Sequence, residues 1–277
     1  ASGVLGYDLW SLCQQGPEAE LGATENTQPA MLAAGVATWR GWLHHGGPRP
    51  VAMAGHSLGE YTALVCSQAL DFGVAVELVR FRGQAMQRAV PRGEGAMAAI
   101  LGLDDAGLAA ACREAAQGQV VEPVNFNAPG QLVIAGHREA VERAMVAAKA
   151  RGAKRALLLP VSAPFHSSLL KPAAERLAAR LAAVPFAPPQ VPVLHNVDVA
   201  PRATADGIRA ALAQQAASAV RWTDTVREFA AQGVTHVVEC GPGRVLTGLV
   251  RRIDGNLQVF PVTDDETLAA ALAAVRG

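Results

Sequence analysis

Gly55-His56-Ser57-Leu58-Gly59 holds the residues whose types and spacing point most directly to chemistry. G-x-S-x-G is the spacing of a nucleophile elbow: glycines flank a turn too tight for side chains, and the serine hydroxyl projects at a sheet edge. The N–H groups that open the following helix offer a positive dipole end to an oxyanion. The apolar run Val51-Ala52-Met53-Ala54 and the helix-compatible stretch Glu60 to Ala69 supply the required strand and helix. Ser57 is therefore expected to be a nucleophile, with the N–H of Leu58 as an oxyanion donor. A serine needs a base, and an α/β-hydrolase would carry Ser, then Asp or Glu, then His near the C-terminus. His236 lies inside the apolar run Val234 to Val238, the place of a core or edge histidine, and His195 in Leu194-His195-Asn196 is open to the same reading. His166 differs. Pro160-Val161-Ser162-Ala163-Pro164-Phe165-His166-Ser167-Ser168 sets it in a rigid loop at a helix start, so His166 is the favoured base. A neutral imidazole there would take the serine proton and return it to a leaving thiol.

The elements that must position these groups alternate between short β-like runs and helical periodicity, which argues for an α/β protein with a mainly parallel sheet. Asp71 reads as the N-cap of a helix whose Val74, Leu78, Phe81 and Met86 share a face, ended by Pro91 and Gly93. Arg82 stands on it, 25 positions after Ser57, and periodicity alone would make it a solvated helix arginine. From 92 to 163 the order is strand (96–101), helix (104–116), strand (120–125), strand (131–135), helix (139–150), strand (155–159), with Phe126-Asn127-Ala128-Pro129-Gly130 as the hairpin loop. That βαββαβ order is the ferredoxin-like unit. Because α/β signals resume after it, 92–163 is expected to be an inserted small subdomain, 1–91 with 164–277 the large body, and the space between them a cleft. Asn125 and Asn127 are expected to shape that cleft. A helix near 167–183, a strand near 193–197, helices near 206–217 and 222–232, a strand at 235–240 and a helix from Arg244 complete the reading.

With 277 residues, 51% of them hydrophobic and 17% charged, the chain can bury a large core. Twenty-four basic residues balance 24 acidic ones, so no whole-protein field draws nucleic acid or an anionic membrane. No apolar stretch reaches the ~18 to 20 residues of a membrane helix. Cys13, Cys66, Cys112 and Cys240 are scattered without C-x-x-C spacing, in keeping with a reducing, cytoplasmic setting.

Gly55 to Tyr61, Arg82-Gly83, Gly95-Ala96-Met97-Ala98-Ala99-Ile100, Val124-Asn125-Phe126-Asn127, His166-Ser167 and Glu239-Cys240-Gly241-Pro242-Gly243 occur in order and at fitting separations. Together they resemble the malonyl-CoA:acyl carrier protein transacylases of bacterial type II fatty acid synthesis, over essentially the whole chain. The resemblance implies an α/β-hydrolase-like body with a ferredoxin-like insertion. It implies a Ser57–His166 dyad whose imidazole is oriented by a carbonyl beside Gln215, and Arg82 as the partner of the malonyl carboxylate, with His56, Asn125 and Asn127 facing substrate. A planar guanidinium suits that task, since it grips a carboxylate through two parallel hydrogen bonds. Phe165 looks like the malonyl-selective form of the same loop in related polyketide acyltransferases. The implied substrates are malonyl-CoA and holo acyl carrier protein, with no metal or redox cofactor, in a cytoplasmic monomer. Lys154, Arg155, Lys171, Arg244 and Arg251 are candidates for docking the acidic carrier.

Relatives begin with a strand and a Gly-Gln-Gly-Ser-Gln loop that supplies a second oxyanion N–H. Nothing like it precedes Gly6-Tyr7-Asp8-Leu9-Trp10, so some tens of N-terminal residues are expected to be missing, and Ala219 stands where many relatives carry proline. Two alternatives follow. A serine esterase or thioesterase would pair an acid with His166 or His195 and ignore Arg82; an acyl-carrier-binding scaffold would bind the carrier without acylating Ser57.

Overall fold

The computed structural model describes residues 1–161 and 163–276; Ser162 of the 160–168 loop and Gly277 lie outside the described residues. Helices α1 (Ser2–Leu5), α2 (Leu9–Gln15), α3 (Glu18–Leu21) and α4 (Thr24–His44) fill a stretch for which the sequence reading proposes no element. The signals there are local: the Asp8 carboxylate accepts from the Ser11 N–H at the head of α2, and Gly6 closes α1 with a left-handed φ of 76°. Strand β1 is only Met53–Ala54, shorter than the expected 51–54, and leads through the turn into α5 (Gly59–Cys66). Helix α6 (Phe72–Arg88) starts where expected, with the Asp71 side chain accepting from the Val74 N–H. It buries Ala75, Val76, Leu78, Val79, Ala85 and Met86, and also Arg82 and Gly83.

β2 (Gly95–Leu101), α7 (Asp105–Ala116), β3 (Val121–Ala128), β4 (Gln131–His137), α8 (Arg138–Ala150) and β5 (Arg155–Leu158) follow in the expected order. The four strands form one antiparallel sheet of order β3-β4-β2-β5, with Ala98, Ile100, Leu132 and Ile134 buried against Leu108, Ala111, Val141 and Ala144 of the two helices. One boundary differs from the sequence reading. Residues 126–128 are not hairpin loop: β3 runs to Ala128 and only Pro129-Gly130 make the turn. Phe126 pairs with Leu132 and Ala128 with Gln131 of β4, and on the outer edge of β3 the Phe126 N–H donates to Val220 O (3.0 Å) and the Val220 N–H donates to Val124 O (2.8 Å). Register shifts between Pro123 and Asn125 and between Phe126 and Ala128 disturb the strict alternation of faces along this strand.

The 167–183 segment is a 3₁₀ turn (Ser168–Leu170) followed by α9 (Lys171–Leu181), and β6 is only Val193–Leu194. The expected 193–197 strand stops there because His195 and Asn196 turn into a buried polar cluster. Helices α10 (Ala205–Gln215) and α11 (Trp222–Ala231), strand β7 (His236–Cys240), helix α12 (Val245–Ile253), strand β8 (Gln258–Val262) and helix α13 (Asp265–Arg276) complete the chain, the last strand and helix not having been expected. The parallel strands do not make one sheet as expected. They form two separate pairs, β1 with β6 and β7 with β8. Among the described residues no helix is long and apolar enough to cross a membrane.

Helices α4 and α6 cross closely at Gly83, where an added Cβ would stand 2.8 Å from both Glu25 Cα and Thr24 O. This crossing carries Gln28 on α4 towards Arg82 on α6. We expect Gly83→Ala to push the helices apart and destabilise the protein by ~1–3 kcal/mol, the usual range for overpacking, read as a lower urea midpoint.

Candidate active site

Ser57 sits at φ 52°, in the left-handed region that non-glycine residues seldom occupy. The turn is so tight that a Cβ on Gly55 would lie 1.9 Å from the carbonyl carbon of Gly59. The converse does not hold: a Cβ on Gly59 would meet nothing within 4 Å, so of the two glycines only the first is demanded by space. Three side-chain hydrogen bonds fix the bend. Asn196 Oδ1 accepts from the Ser57 N–H (2.7 Å), Asn196 Nδ2 donates to Gly55 O (2.7 Å), and Gln215 Nε2 donates to Ser57 O (2.9 Å). Behind them the fully buried Glu60 accepts from the Asn196 N–H (2.8 Å), Gln215 Nε2 (2.9 Å) and His195 Nδ1 (2.6 Å). A buried carboxylate is tolerable only when its lone pairs are satisfied in this way.

The Ser57 hydroxyl lies between a base and a cation. His166 Nε2 is 2.7 Å from Ser57 Oγ, and His166 Nδ1 is 2.9 Å from the backbone oxygen of Gln215. A carbonyl can only accept, so Nδ1 carries the ring proton and Nε2 turns its lone pair to the serine. The carbonyl is thus that of Gln215 itself, and the residue's side chain does separate work. Arg82 Nη2 donates to Ser57 Oγ (3.0 Å) and to Gln215 Oε1 (2.9 Å), while Nη1 donates to Gln28 Oε1 (2.8 Å). Arg82 is only 2% exposed, rests over the Tyr61 ring at 5.4 Å, and among the described residues makes no ion pair. Burial lowers its pKa, but a guanidinium remains charged. His166 too is buried at a left-handed φ, 67°, and burial, reinforced by the Arg82 charge, pushes its pKa down to about 3.

The other expected site residues also converge. His56 Nε2 lies 2.8 Å from Asn127 Oδ1, with its ring tilted against Trp222, and burial lowers the His56 pKa. Asn125 Oδ1 is buried with no hydrogen-bond partner among the described residues, and Asn125 lines the same cavity. Phe165 packs against both the body core and the apolar face of the antiparallel sheet. Leu58 precedes the first residue of α5, so its N–H belongs to the helix-opening groups that have no intrahelical acceptor. These residues line a cavity of about 1260 Å³. The structure keeps His195 away from the nucleophile: an acid does pair with it, Glu60, but Ser57 faces His166 and Arg82. His236 stacks on Phe260 at the start of β7. Gln28, Glu60, Asn196 and Trp222 were not expected in the site. Glu60 had a legible signal, an acidic residue amid the apolar first turns of α5; Gln28 had none, because α4 itself was not foreseen.

A serine at a left-handed φ, a histidine with a fixed tautomer and a buried guanidinium thus meet in one cavity, and the chain matches the acyl transferase domain family over residues 3–258. It is 59% identical to the malonyl CoA-acyl carrier protein transacylase of Escherichia coli O157:H7 over 272 residues, covering 98% of this chain and 88% of that protein. Against the Bacillus subtilis enzyme of the same name it is 43% identical over 277 residues, covering 100% and 87%. Among solved structures, the acyl carrier protein S-malonyltransferase of Vibrio cholerae superposes with a TM-score of 0.95 at 56% identity, covering 97% of this chain and 88% of that one. A malonyl-transacylase solved in complex with its type II polyketide acyl-carrier protein superposes at 0.97 with 57% identity, covering 99% and 88%. The chain belongs to the malonyl CoA-acyl carrier protein transacylase family.

Because the folded pKa of His166 lies below that of the free side chain, the unfolded chain binds a proton between pH ~6.5 and about 3 that the fold refuses. Stability from this residue is therefore full above pH ~6.5 and lost as pH falls, by up to ~1.4 kcal/mol per pH unit. Urea midpoints of the protein and of His166→Gln from pH 7 to 4 should converge towards acid, with the parent losing more.

Proposed function

We propose that Ser57 carries a malonyl group from malonyl-CoA to the phosphopantetheine thiol of acyl carrier protein in two half-reactions, feeding acyl-chain elongation. His166 Nε2 takes the Ser57 proton as Oγ attacks the thioester carbon, the Leu58 N–H faces the developing oxyanion, and the C–S bond breaks with the proton passing to the CoA thiol. In the second half the carrier's thiol gives its proton to His166 and attacks the serine ester. The Oγ–C bond breaks and Ser57 regains its proton. These steps require no metal or redox group.

The observation that carries the reading is the placement of Arg82, buried, without an ion-pair partner among the described residues, and 3.0 Å from the nucleophile. Esterification weakens Oγ as an acceptor and so frees the Nη2–H it held. A malonyl ester places its own carboxylate three bonds from that oxygen, within reach of the same guanidinium. An esterase would have no use for a buried cation there. The carrier partner is supported by the relative solved with its acyl-carrier protein. Lys154, Arg155, Lys171, Arg244 and Arg251 are exposed and remain the candidates for docking it. His56, Asn125, Asn127 and Phe165 shape the acyl pocket. The finer fold reading is that 92–163 is a ferredoxin-like insertion in an α/β-hydrolase-like body formed by 1–91 and 164–277. The order β3-β4-β2-β5 and the separate core of that sheet support it.

Intact-protein mass spectrometry after brief mixing with malonyl-CoA should show one malonyl adduct that Ser57→Ala abolishes and holo acyl carrier protein discharges. Hydrogen bonds to a charged group contribute ~1.5–3 kcal/mol, so Arg82→Ala should lower the malonyl-to-acetyl preference at least tenfold. An adduct that water discharges as fast as the carrier would favour the esterase instead.

A further inference from the structure

His166 stands at φ 67°, and a backbone outlier at a reactive residue persists only where its surroundings over-determine it. From the body, the ring is tied by Nδ1 to Gln215 O. Within the loop, Ser167 Oγ donates to Pro164 O (2.7 Å). The remaining tie comes from across the cleft. Glu122, on β3 of the antiparallel sheet, accepts from the Ser168 N–H on Oε2 (2.8 Å) and from the Ser168 hydroxyl on Oε1 (2.8 Å), gripping the chain two residues after the base. Neither the elbow motif nor the acyl pocket uses Glu122, and it touches neither Ser57 nor His166.

We infer that Glu122 is a positioning residue for the base: its two-pronged clamp on Ser168 holds the 164–168 loop in the conformation that presents His166 Nε2 to Ser57. The inference rests on the dyad proposed above. The clamp works by geometry rather than charge. A carboxamide at 122 reproduces it, accepting from the Ser168 N–H with its oxygen and donating to the Ser168 hydroxyl with its nitrogen. Removal of the side chain leaves the loop free to relax out of the left-handed φ, taking the ring with it. The nucleophile, Arg82 and the cavity stay in place, so substrate binding is unaffected while proton abstraction slows.

The test uses the full chain and two readouts of Ser57: the rate of acylation by malonyl-CoA, and the rate of labelling by a fluorophosphonate probe, which reads serine nucleophilicity whatever the natural acyl group. Glu122→Ala should slow both ten- to a hundredfold, with KM for malonyl-CoA within threefold of the parent. Its rate should climb with pH from 7 to 9 where the parent is level, as expected when the serine must ionise without an aligned base. Glu122→Gln should stay within threefold in all respects. Parent-like rates in Glu122→Ala, or an equal loss in Glu122→Gln, would overturn the clamp. If Glu122→Ala does not fold, Ser168→Ala, which removes one prong, should slow labelling about fivefold, and an unchanged rate there overturns it equally. A parent that reacts with the probe but not with malonyl-CoA would instead sink the acyl assignment and leave the clamp to be judged on the probe.

Discussion

Ser57 holds a backbone conformation that costs of order 1–3 kcal/mol, and the site is built around keeping it there. The strand beneath the elbow, β1, is two residues long and, among the described residues, pairs with the equally short β6. The restraint comes from side chains. Asn196 bridges the carbonyl before the bend and the amide within it, and Gln215 takes the carbonyl after it. Both are oriented by Glu60, whose burial makes loss of any one partner expensive. The polar cluster and the reactive turn thus share one set of hydrogen bonds.

The same cluster settles how two buried charges coexist. Glu60 and Arg82 do not touch; the Gln215 amide lies between them, its nitrogen towards the carboxylate and its oxygen towards the guanidinium. A direct ion pair would satisfy both groups and leave nothing for a ligand. With an uncharged amide interposed, Arg82 is held in position by neutral acceptors, Gln28, Gln215 and the Ser57 hydroxyl. Burial, reinforced by the cation, keeps His166 unprotonated at neutral pH without an acidic third member.

The sequence made Ser57 legible because its physics is local, whereas periodicity made Arg82 a solvated helix arginine and only the family resemblance brought it to the site. A tight turn demands Gly55, and a helix start demands a cap such as Asp71. Strong periodicity likewise places the βαββαβ segment to within a few residues. What it hid is whatever depends on a distant partner. The second partner of β3, Val220, lies almost a hundred residues on from Phe126, and the early stop of β6 comes from the polar demands of Glu60 on the other side of the elbow. Gln28 is in the site only because Gly83 lets two helices cross closely. The second glycine of the elbow shows the opposite error: its spacing invited a steric reason that the backbone does not supply.

Backbone hydrogen bonds to Val220 stitch β3, one margin of the antiparallel sheet, to the body, whereas β5 forms the opposite margin and carries the exposed Leu157 and Leu158. The β5 margin runs on through Leu159 and Val161, both lining the cavity, towards the loop that carries His166.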